Sequence, residues 1–270
     1  MTRLFLSIGL FFIGLNVNAQ SGRYIETNGV QIYYEVYGEG EPLLLLHGFT
    51  MSHKSWEPWI IDLSKNYKLV IPDLRGHGNS TNPSKVYTAR NSAIDMLGLM
   101  DQLNIKRFNA LGHSNGALVL THMAIMDSSR IKSMILISGA PYLTKEAITI
   151  MKGVTYENMK SHMEPLHPGG EKQIRMLVEQ MRNIPNQTED INFTPSLLAT
   201  IKCPTLIIHG DRDKFFNIDI PTAYYNSIPN SYLWIVPDSG HFPAGIYDRI
   251  SIWSNALVDV IDDFFAGTWN

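Results

Sequence analysis

The sequence predicts an α/β fold in which a mostly parallel sheet is flanked by helices. Short apolar runs rich in β-branched residues alternate along the chain with segments whose apolar residues recur every three or four positions. The composition is that of an ordinary globular protein, with 44% hydrophobic and 17% charged residues among 270. A chain of this size can still be organised around one hydrophobic core. We therefore expect one α/β domain.

The predicted strands differ in their patterns. Residues 31–37 alternate polar and apolar side chains, which is typical of a half-exposed edge strand. The later strands are apolar with little alternation, as expected of strands buried on both faces of a parallel sheet. They are predicted at 42–46, 68–71, 108–111, 133–137, 205–208 and 231–236, with helices at 93–103 and 117–126 and a closing amphipathic helix at 252–265.

Charge and cysteine content exclude several classes of function. The chain carries 22 Lys and Arg against 25 Asp and Glu, a net charge of −3. A weakly acidic chain lacks the basic field that nucleic-acid binding requires, so we expect no nucleic-acid partner. The lone cysteine, Cys203, can form neither an intrachain disulfide nor a cysteine cluster for zinc or iron–sulfur.

The first residues have the pattern of a secretory signal. Arg3 supplies a positive charge, residues 4–15 form an apolar run, and residues 17–19 resemble a small-residue cleavage site. A run of 12 residues is shorter than the ~18–20 that a membrane-spanning helix needs. We predict a signal peptide at 1–19, cleavage near Ala19-Gln20, and a periplasmic or secreted protein with no stable membrane span. The alternative is an uncleaved anchor or a buried N-terminal helix.

A long segment interrupts the alternation of strands and helices. From Pro141 to Cys203 there are 63 residues between two predicted buried strands, more than one helix and its loops need. The segment is either a helical excursion with its own small core or a lid, because its methionines provide an adaptable apolar surface. We favour the lid, since insertions at this edge overlie the carboxyl ends of the strands. The predicted domains are a core of 20–140 and 204–270 and a cap of 141–203.

The segment Gly112–Gly116, Gly-His-Ser-Asn-Gly, carries the strongest chemical signal. It directly follows the predicted strand 108–111 and directly precedes a helical segment that starts at Ala117. A serine on a sharp strand-to-helix turn presents its Oγ outside the backbone, in a strained geometry that needs small residues two positions away on either side. Ser114 is therefore the predicted nucleophile.

A serine hydroxyl needs a base to become nucleophilic at neutral pH. His241 follows the last strand, 231–236, and so lies at the same sheet edge as Ser114. His122 falls in a predicted helix, where a packed or surface role is expected. The other candidates, His53, His162 and His167, lie in loop or lid segments with no identifiable partner. His241 is the predicted base.

The base needs a carboxylate that fixes its tautomer and stabilises the imidazolium. Strand 205–208 leads into Asp211 and Asp213, again at a carboxyl end. We favour Asp213, because the aspartate nearer the turn glycine is expected to bond its own backbone. Asp238 is a weaker candidate, three residues from His241, where a loop-capping role is expected.

An oxyanion intermediate needs at least two preorganised N–H donors. One is expected from Asn115, the residue after the nucleophile. The second is expected from Phe49, in the loop His47-Gly48-Phe49 that follows strand 42–46, because glycine permits a close backbone approach. The alternative for His47-Gly48 is a plain turn that ends the strand.

Together these motifs resemble the α/β-hydrolase superfamily from Ser21 to the C-terminal helix. The matching segments are Leu46–Phe49, Pro72–Ser80, Gly112–Gly116, Gly210–Asp213 and Gly240-His241, in the order Ser, Asp, His that such enzymes use. The resemblance implies an eight-stranded, mostly parallel sheet flanked by helices, with a helical cap. It also implies a triad of Ser114, Asp213 and His241 with Phe49 and Asn115 as oxyanion donors. Arg75 and His77 would support the fold rather than react.

Two departures narrow the resemblance. Many relatives have Met-Gly-Gly after the nucleophile, where this chain has Asn115-Gly116-Ala117. The loop after His47-Gly48 lacks the Gly-Pro-Gly pattern associated with carbon–carbon bond hydrolases. Relatives with an aspartate nucleophile, such as epoxide hydrolases, are excluded by Ser114.

The sequence thus predicts a serine hydrolase of the carboxylic-ester class, which cleaves a small ester through an acyl-enzyme intermediate. Its partner would be a small-molecule acyl substrate, and it would need no metal or organic cofactor. One alternative keeps the triad but acts on a lactone, thioester, amide or carbon–carbon bond. The other is a non-catalytic binding protein with this fold, since fold does not fix function.

Overall fold

Eight strands form one sheet in the computed structural model, which describes residues 22–245 and 251–269. The strands are β1 (Arg23–Thr27), β2 (Val30–Tyr37), β3 (Glu41–Leu46), β4 (Tyr67–Pro72), β5 (Phe108–His113), β6 (Ile131–Ile137), β7 (Thr205–Gly210) and β8 (Ser231–Val236). Their order across the sheet is β1-β2-β4-β3-β5-β6-β7-β8. The pairs β1–β2 and β2–β4 are antiparallel, and every other neighbouring pair is parallel. The predicted eight-stranded, mostly parallel sheet is confirmed.

Helices cover both faces of the sheet. They are α1 (Glu57–Leu63), α2 (Ala89–Gln102), α3 (Asn115–Met126), α4 (Lys145–Gly153), α5 (Tyr156–Met163), α6 (Gly170–Asn183), α7 (Thr188–Ile191), α8 (Pro195–Leu198), α9 (Asp219–Ser227) and α10 (Ser254–Phe265). Successive strand side chains point to opposite faces. In β3, Leu44 and Leu46 therefore pack with α2 and α3, whereas Leu43 and Leu45 pack with α1 and α10. Two apolar layers thus enclose the central strands.

The predicted edge strand is not at the edge. Strand β1 pairs antiparallel with β2 from Arg23↔Tyr34 to Thr27↔Val30, so β1 is the outer strand. The residues of β1 are exposed or half-buried, and the strand therefore lacks the apolar run by which the other strands were predicted. Sequence reasoning missed this strand for that reason.

Three helices start elsewhere than predicted. Helix α2 begins at Ala89 rather than at 93, because Thr88 caps it by accepting a hydrogen bond from the Asn91 N–H over 3.0 Å. Helix α3 begins at Asn115 rather than at 117, and α10 begins at Ser254 rather than at 252. The start of α3 matters for function, since it places the helix directly after Ser114.

The segment between β6 and β7 contributes helices α4 to α8. Most of the buried apolar side chains from α4 to α7 form a cluster that also includes Phe49 and Tyr87 of the core, whereas Phe193 and Leu198 pack with the core around α2 and α3. Polar contacts tie the segment to neighbouring loops. His167 bonds the Thr50 carbonyl through Nε2 over 2.9 Å, and Asp190 accepts from the N–H of Ala89 over 2.7 Å. The predicted lid segment therefore packs directly on the loop that carries Phe49.

The predicted signal peptide, residues 1–19, lies outside the described residues. Within 22–245 and 251–269, no helix is both long enough and apolar enough to cross a membrane. Export of the protein stays a prediction from the sequence.

Candidate active site

Ser114 occupies a strained turn between β5 and α3. Its backbone has φ 52° and ψ −115°, a conformation that a non-glycine residue rarely adopts. The turn is held from both sides. The Ser114 N–H donates to the Ile137 carbonyl over 2.8 Å, and the Ser114 carbonyl accepts from the Ala117 N–H over 3.0 Å. The strained turn is the geometry that the sequence context predicts for a nucleophile.

The two glycines of the motif are required by close backbone approach. A Cβ on Gly112 would lie 2.4 Å from the Gly116 carbonyl oxygen, and a Cβ on Gly116 would lie 2.3 Å from the carbonyl oxygen of Leu46. Neither residue has a positive φ, so the constraint is space rather than backbone conformation. The turn can therefore sit tightly against the end of β3 only if both positions lack a side chain.

The structure brings together the three predicted residues of the triad. His241 Nε2 lies 2.9 Å from Ser114 Oγ, and His241 Nδ1 lies 2.8 Å from Asp213 Oδ2. The Asp213 side chain is fully buried, whereas the His241 side chain keeps 13% exposure. A carboxylate only accepts, so Nδ1 carries the proton of the neutral ring, and Nε2 is left to accept from the Ser114 hydroxyl. This is the arrangement of a serine nucleophile and its base.

Asp213 is fixed by its own turn as well as by His241. Its Oδ1 accepts from the N–H of Phe215 over 2.7 Å and of Phe216 over 3.2 Å. Burial alone would raise the pKa of Asp213, but the hydrogen bond and charge of His241, with the Phe215 N–H, hold that pKa below its ordinary value. The carboxyl therefore stays ionised at neutral pH.

The reason given for preferring Asp213 over Asp211 was wrong, although Asp213 is the residue beside His241. The turn-bonding carboxylate is Asp213 itself, which uses one oxygen for the turn and the other for the histidine. Asp211 instead accepts from the Ser239 N–H over 3.3 Å, across the loop that carries His241. Both aspartates thus stabilise the loops around His241.

The position of the loop that carries His241 depends on two residues whose roles sequence reasoning missed. His113 Nε2 lies 2.9 Å from the carbonyl oxygen of His241. Gly210 lets the 239–240 backbone approach the end of β7, since a Cβ there would lie 2.2 Å from the Ser239 carbonyl oxygen. For Gly210, the sequence offered one indication, a glycine at the end of a strand. For His113, no feature of the sequence indicated a contact with the distant residue 241.

The two predicted oxyanion donors, Phe49 and Asn115, line the same cavity as Ser114. None of the hydrogen bonds among residues 22–245 and 251–269 uses the backbone N–H of either residue. The Phe49 loop is a tight turn, in which the Met51 N–H donates to the Gly48 carbonyl over 3.2 Å and Thr50 has φ 67°. Phe49 and Asn115 therefore each have a backbone N–H without a partner among the described residues, at the wall of the cavity that Ser114 also lines.

His47 anchors the Phe49 loop rather than facing the cavity. Its Nδ1 donates to the Gly48 carbonyl over 2.8 Å, and its Nε2 accepts from the Leu74 N–H over 3.0 Å. Burial lowers the pKa of His47 to about 4, so the ring is neutral and can hold both bonds at once. The His47-Gly48 segment thus does more than end a strand.

The Asp73–Ser80 loop supports the site from behind. Arg75 is buried and makes a bidentate pair with Asp95, with both N···O distances at 2.7 Å. The His77 ring packs edge-on against Phe49, with the ring centroids 4.6 Å apart. None of the loop's residues lines the cavity above Ser114, which matches the supporting role that the resemblance implies.

Two histidines without a predicted partner have one in the structure. His53 Nδ1 lies 2.9 Å from Asp73 Oδ1, and its own N–H donates to the same oxygen over 2.7 Å. His167 accepts from the Gly78 N–H over 3.0 Å in addition to bonding Thr50. His122, predicted as a packed or surface residue, is buried and bonds the Asp190 carbonyl over 2.8 Å.

The cavity above Ser114 is small and apolar, with a volume of about 240 Å³. The segment 141–203 supplies much of its wall, through Leu143, Met151, Val154, Met159, Met181 and Ile184. Among the described residues, no Asp, Glu, Lys or Arg lines it. His162 lines it too, and burial lowers the pKa of this ring. The site therefore offers an uncharged environment to a bound molecule.

Phenylalanines line the cavity, whereas Trp56, Trp59 and Tyr142 do not. Trp56 and Trp59 are buried in the apolar layer beneath the sheet, with α1 and α10. Tyr142 is 38% exposed and lies outside the cavity wall. In the part of the chain that the structure describes, no group of three or more His, Cys, Asp or Glu side chains could hold a metal ion.

Comparisons with known proteins agree with this fold. A family model described as alpha/beta hydrolase fold matches residues 41–175. The mouse serine hydrolase BPHL is 29% identical over 251 residues, covering 87% of this chain and 84% of the relative. The 2-hydroxy-6-oxononadienedioate/2-hydroxy-6-oxononatrienedioate hydrolase 2 of Pseudomonas putida is 26% identical over 246 residues, covering 79% of this chain and 86% of the relative.

A solved structure has the same fold. The thermophilic esterase from Thermogutta terrifontis superposes with a TM-score of 0.75 at 21% identity. The match covers 93% of this chain and 100% of the esterase chain. At that identity the likeness shows the fold alone.

Proposed function

The chain belongs to the α/β-hydrolase family, and we propose that it is a serine hydrolase that cleaves small carboxylic esters. The observation that carries the proposal is the His241 ring, which lies within hydrogen-bond distance of both Ser114 Oγ and Asp213 Oδ2. Nucleophile, base and orienting carboxylate then form one chain of hydrogen bonds, as acyl transfer requires.

In the proposed reaction, Ser114 Oγ attacks the ester carbonyl carbon while His241 Nε2 takes the hydroxyl proton. The carbonyl π electrons move to oxygen, and the oxyanion accepts hydrogen bonds from the N–H groups of Phe49 and Asn115. The intermediate collapses as the C–O bond to the alcohol breaks, and His241 gives its proton to the leaving oxygen. Asp213 stabilises the imidazolium between these two steps.

The second half of the reaction repeats the first with water as the nucleophile. His241 takes a proton from a water molecule, and the resulting oxygen attacks the acyl carbon bound to Ser114. Collapse of this intermediate releases the carboxylic acid and returns the proton from His241 to Ser114 Oγ. Atoms and protons balance without a metal or an organic cofactor.

The cavity supports a small, uncharged acyl group. Its volume, about 240 Å³, is below the ~300–1,000 Å³ of typical ligand pockets. A carboxylate on the substrate would lose its hydration in an apolar wall without gaining a cation, which is costly. This favours a neutral ester over a diacid such as the one in the printed name of the Pseudomonas putida relative. The apolar wall likewise disfavours the alternative of a carbon–carbon bond substrate where that substrate is a diacid.

The proposal is tested with aryl esters of graded acyl length, from acetyl to decanoyl, and with a succinyl monoester as the charged counterpart of the butyryl ester. We expect the short neutral esters to give the highest kcat/KM and the succinyl ester to be hydrolysed at least about tenfold less efficiently than the butyryl ester. Ser114→Ala sets the background. Equal, slow hydrolysis by wild type and Ser114→Ala would contradict an esterase function.

A fluorophosphonate probe separates an enzyme with another substrate from a binding protein. Covalent labelling of Ser114 in a protein that hydrolyses none of these esters would indicate a lactone, thioester or amide substrate. A folded protein that remains unlabelled would support the non-catalytic alternative. We propose export from the sequence alone, and N-terminal sequencing of the mature protein tests cleavage after Ala19.

A further inference from the structure

The side chain of Tyr87 contacts both residues that would donate to the oxyanion. Its hydroxyl accepts a hydrogen bond from Asn115 Nδ2. Its ring packs edge-on against Phe49, with the centroids 4.9 Å apart and an angle of 84° between the planes. Phe49 follows β3 and Asn115 begins α3, so one side chain joins two separate backbone segments.

Tyr87 is itself held firmly. It is 2% exposed, and its carbonyl accepts from Gln187 Nε2 over 2.7 Å. Its ring belongs to the apolar cluster that α4 to α7 form over the site. Burial raises the pKa of Tyr87, so the phenol stays neutral and its oxygen remains available to the Asn115 amide. The segment between β6 and β7 thus packs on the residue that touches both donors.

We propose that Tyr87 is a positioning residue for the oxyanion donors, an inference that rests on the proposed function. Asn115 is the first residue of α3, where a backbone N–H has no partner within the helix. Asn115 is only 8% exposed, so the orientation of its side chain is set by protein contacts rather than by water. The bond to Tyr87 fixes the Asn115 amide, and the ring contact fixes Phe49 on the opposite side.

The contact with Tyr87 gives a physical reason for an asparagine at position 115. An apolar residue after the nucleophile could fill the same space but could not bond the Tyr87 hydroxyl. Asparagine supplies an N–H₂ donor that reaches it while the backbone N–H stays free for the oxyanion. Asn115 and Tyr87 are therefore expected to act as one unit in catalysis.

The test is Tyr87→Phe, which keeps the ring and removes the hydroxyl, measured on the best short ester. We expect kcat to fall about tenfold while KM changes less than about twofold, because the misplaced donor acts on the transition state. Binding of a trifluoromethyl ketone, which Ser114 converts to a bound oxyanion, should weaken by about the same factor.

A matched control is Tyr224→Phe. Tyr224 is also fully buried, and its hydroxyl lies 3.1 Å from Thr121 Oγ1, but it touches neither oxyanion donor. Removing the Tyr224 hydroxyl measures the general effect of losing a buried phenolic hydroxyl group. We expect kcat and ketone binding in Tyr224→Phe to stay within about twofold of wild type.

Asn115→Ala removes the same hydrogen bond from its other end and keeps the backbone N–H. If Tyr87→Phe does not fold, this variant gives the same test. We expect the double variant to be no slower than the slower single variant, since both remove one interaction.

The possible outcomes are distinct. If the wild type hydrolyses esters but the kcat of Tyr87→Phe equals that of Tyr224→Phe, only the positioning role of Tyr87 is overturned. The same holds if the effects of Tyr87→Phe and Asn115→Ala on kcat multiply in the double variant. A wild-type protein that neither hydrolyses esters nor reacts with the fluorophosphonate overturns the proposed function and this inference together.

Discussion

The ring of His113 donates a hydrogen bond from Nε2 to the backbone carbonyl of His241, over 2.9 Å. Burial and the nearby His241 ring lower the pKa of His113 to about 3, so this histidine is neutral at neutral pH. The residue beside Ser114 thus fixes the loop that carries His241. The distance between Ser114 and His241 is set by this bond as well as by their own contact.

The effect of replacing His113 on kcat should depend on whether the new side chain can donate a hydrogen bond to the His241 carbonyl. His113→Met should lower kcat by about tenfold, because the His241 loop loses its anchor and the base drifts from Ser114. His113→Gln places an N–H₂ group near the former Nε2 and should recover most of the rate. Equal rates for His113→Met and wild type would contradict this role, and circular dichroism of both variants checks that the fold is intact.

The two neighbouring aspartates should differ sharply in their effect. Asp213→Asn replaces an acceptor with a group that can also donate, which favours the wrong tautomer of His241, so kcat should fall on the order of 10,000-fold. Asp211→Asn affects a bond to the Ser239 N–H and should change kcat less than about threefold. Ester hydrolysis measures both. Comparable losses in the two variants would show that the carboxylate assignment is wrong.

Crowding at the nucleophile turn should appear as a loss of stability. A Cβ on Gly116 would lie 2.3 Å from the Leu46 carbonyl oxygen, so Gly116→Ala should lower the free energy of unfolding by about 1–3 kcal/mol. Gly153, the last residue of α4, is a matched control because a Cβ there meets nothing within 4 Å. Gly153→Ala should be neutral or stabilise by up to about 1 kcal/mol. Urea unfolding decides whether the two variants differ.

Buried neutral histidines should make the fold acid-sensitive. The pKa values of His47, His77, His113 and His167 all lie below the ordinary value, with burial as the largest cause. In the unfolded chain these rings bind protons below about pH 6.5, whereas in the folded protein they do not. The free energy of unfolding should therefore fall as pH drops below about 6.5, by up to about 1.4 kcal/mol per pH unit for each ring.

His53 titrates in the opposite sense and does not offset this loss. Burial opposes its charge, but Asp73 raises the pKa of His53 above the ordinary value. The contribution of His53 to the free energy of unfolding is fully present below about pH 6.5 and is lost only as the pH rises through the raised pKa. Urea unfolding from about pH 7.5 to about pH 4.5 should show the decline, with a shallower slope in His113→Gln. A flat profile would mean that the four rings are not held neutral.

The strands that line the site were predictable because each is an apolar run that ends in a chemically distinctive loop. Parallel strands bring their carboxyl ends to one edge, so Ser114, Asp213 and His241 could be placed together from their positions after three strands. Strand β1 was not predictable in this way, since its residues are exposed or half-buried and it is held by its pairing with β2 and by contacts with α2, such as the bond from Gln102 to the Glu26 carbonyl.

The supporting contacts of the site were beyond sequence reasoning for a different reason. The bond from His113 to His241 joins residues 128 positions apart, and the contact of Tyr87 with Asn115 depends on how two loops meet. No local period or motif encodes such a distance. Asp213 shows the same limit, because its position next to His241 was anticipated but the division of labour between its two oxygens was not.

The role of Ser114 as nucleophile is tested most directly by mass spectrometry of the intact protein, and then of its peptides, after reaction with a fluorophosphonate. We expect one phosphonyl adduct per chain on Ser114, formed with loss of fluoride, and no adduct in Ser114→Ala. Asp213→Asn should be labelled far more slowly than wild type. An adduct on another residue, or none on a folded wild-type protein, would contradict the claim that Ser114 is the nucleophile.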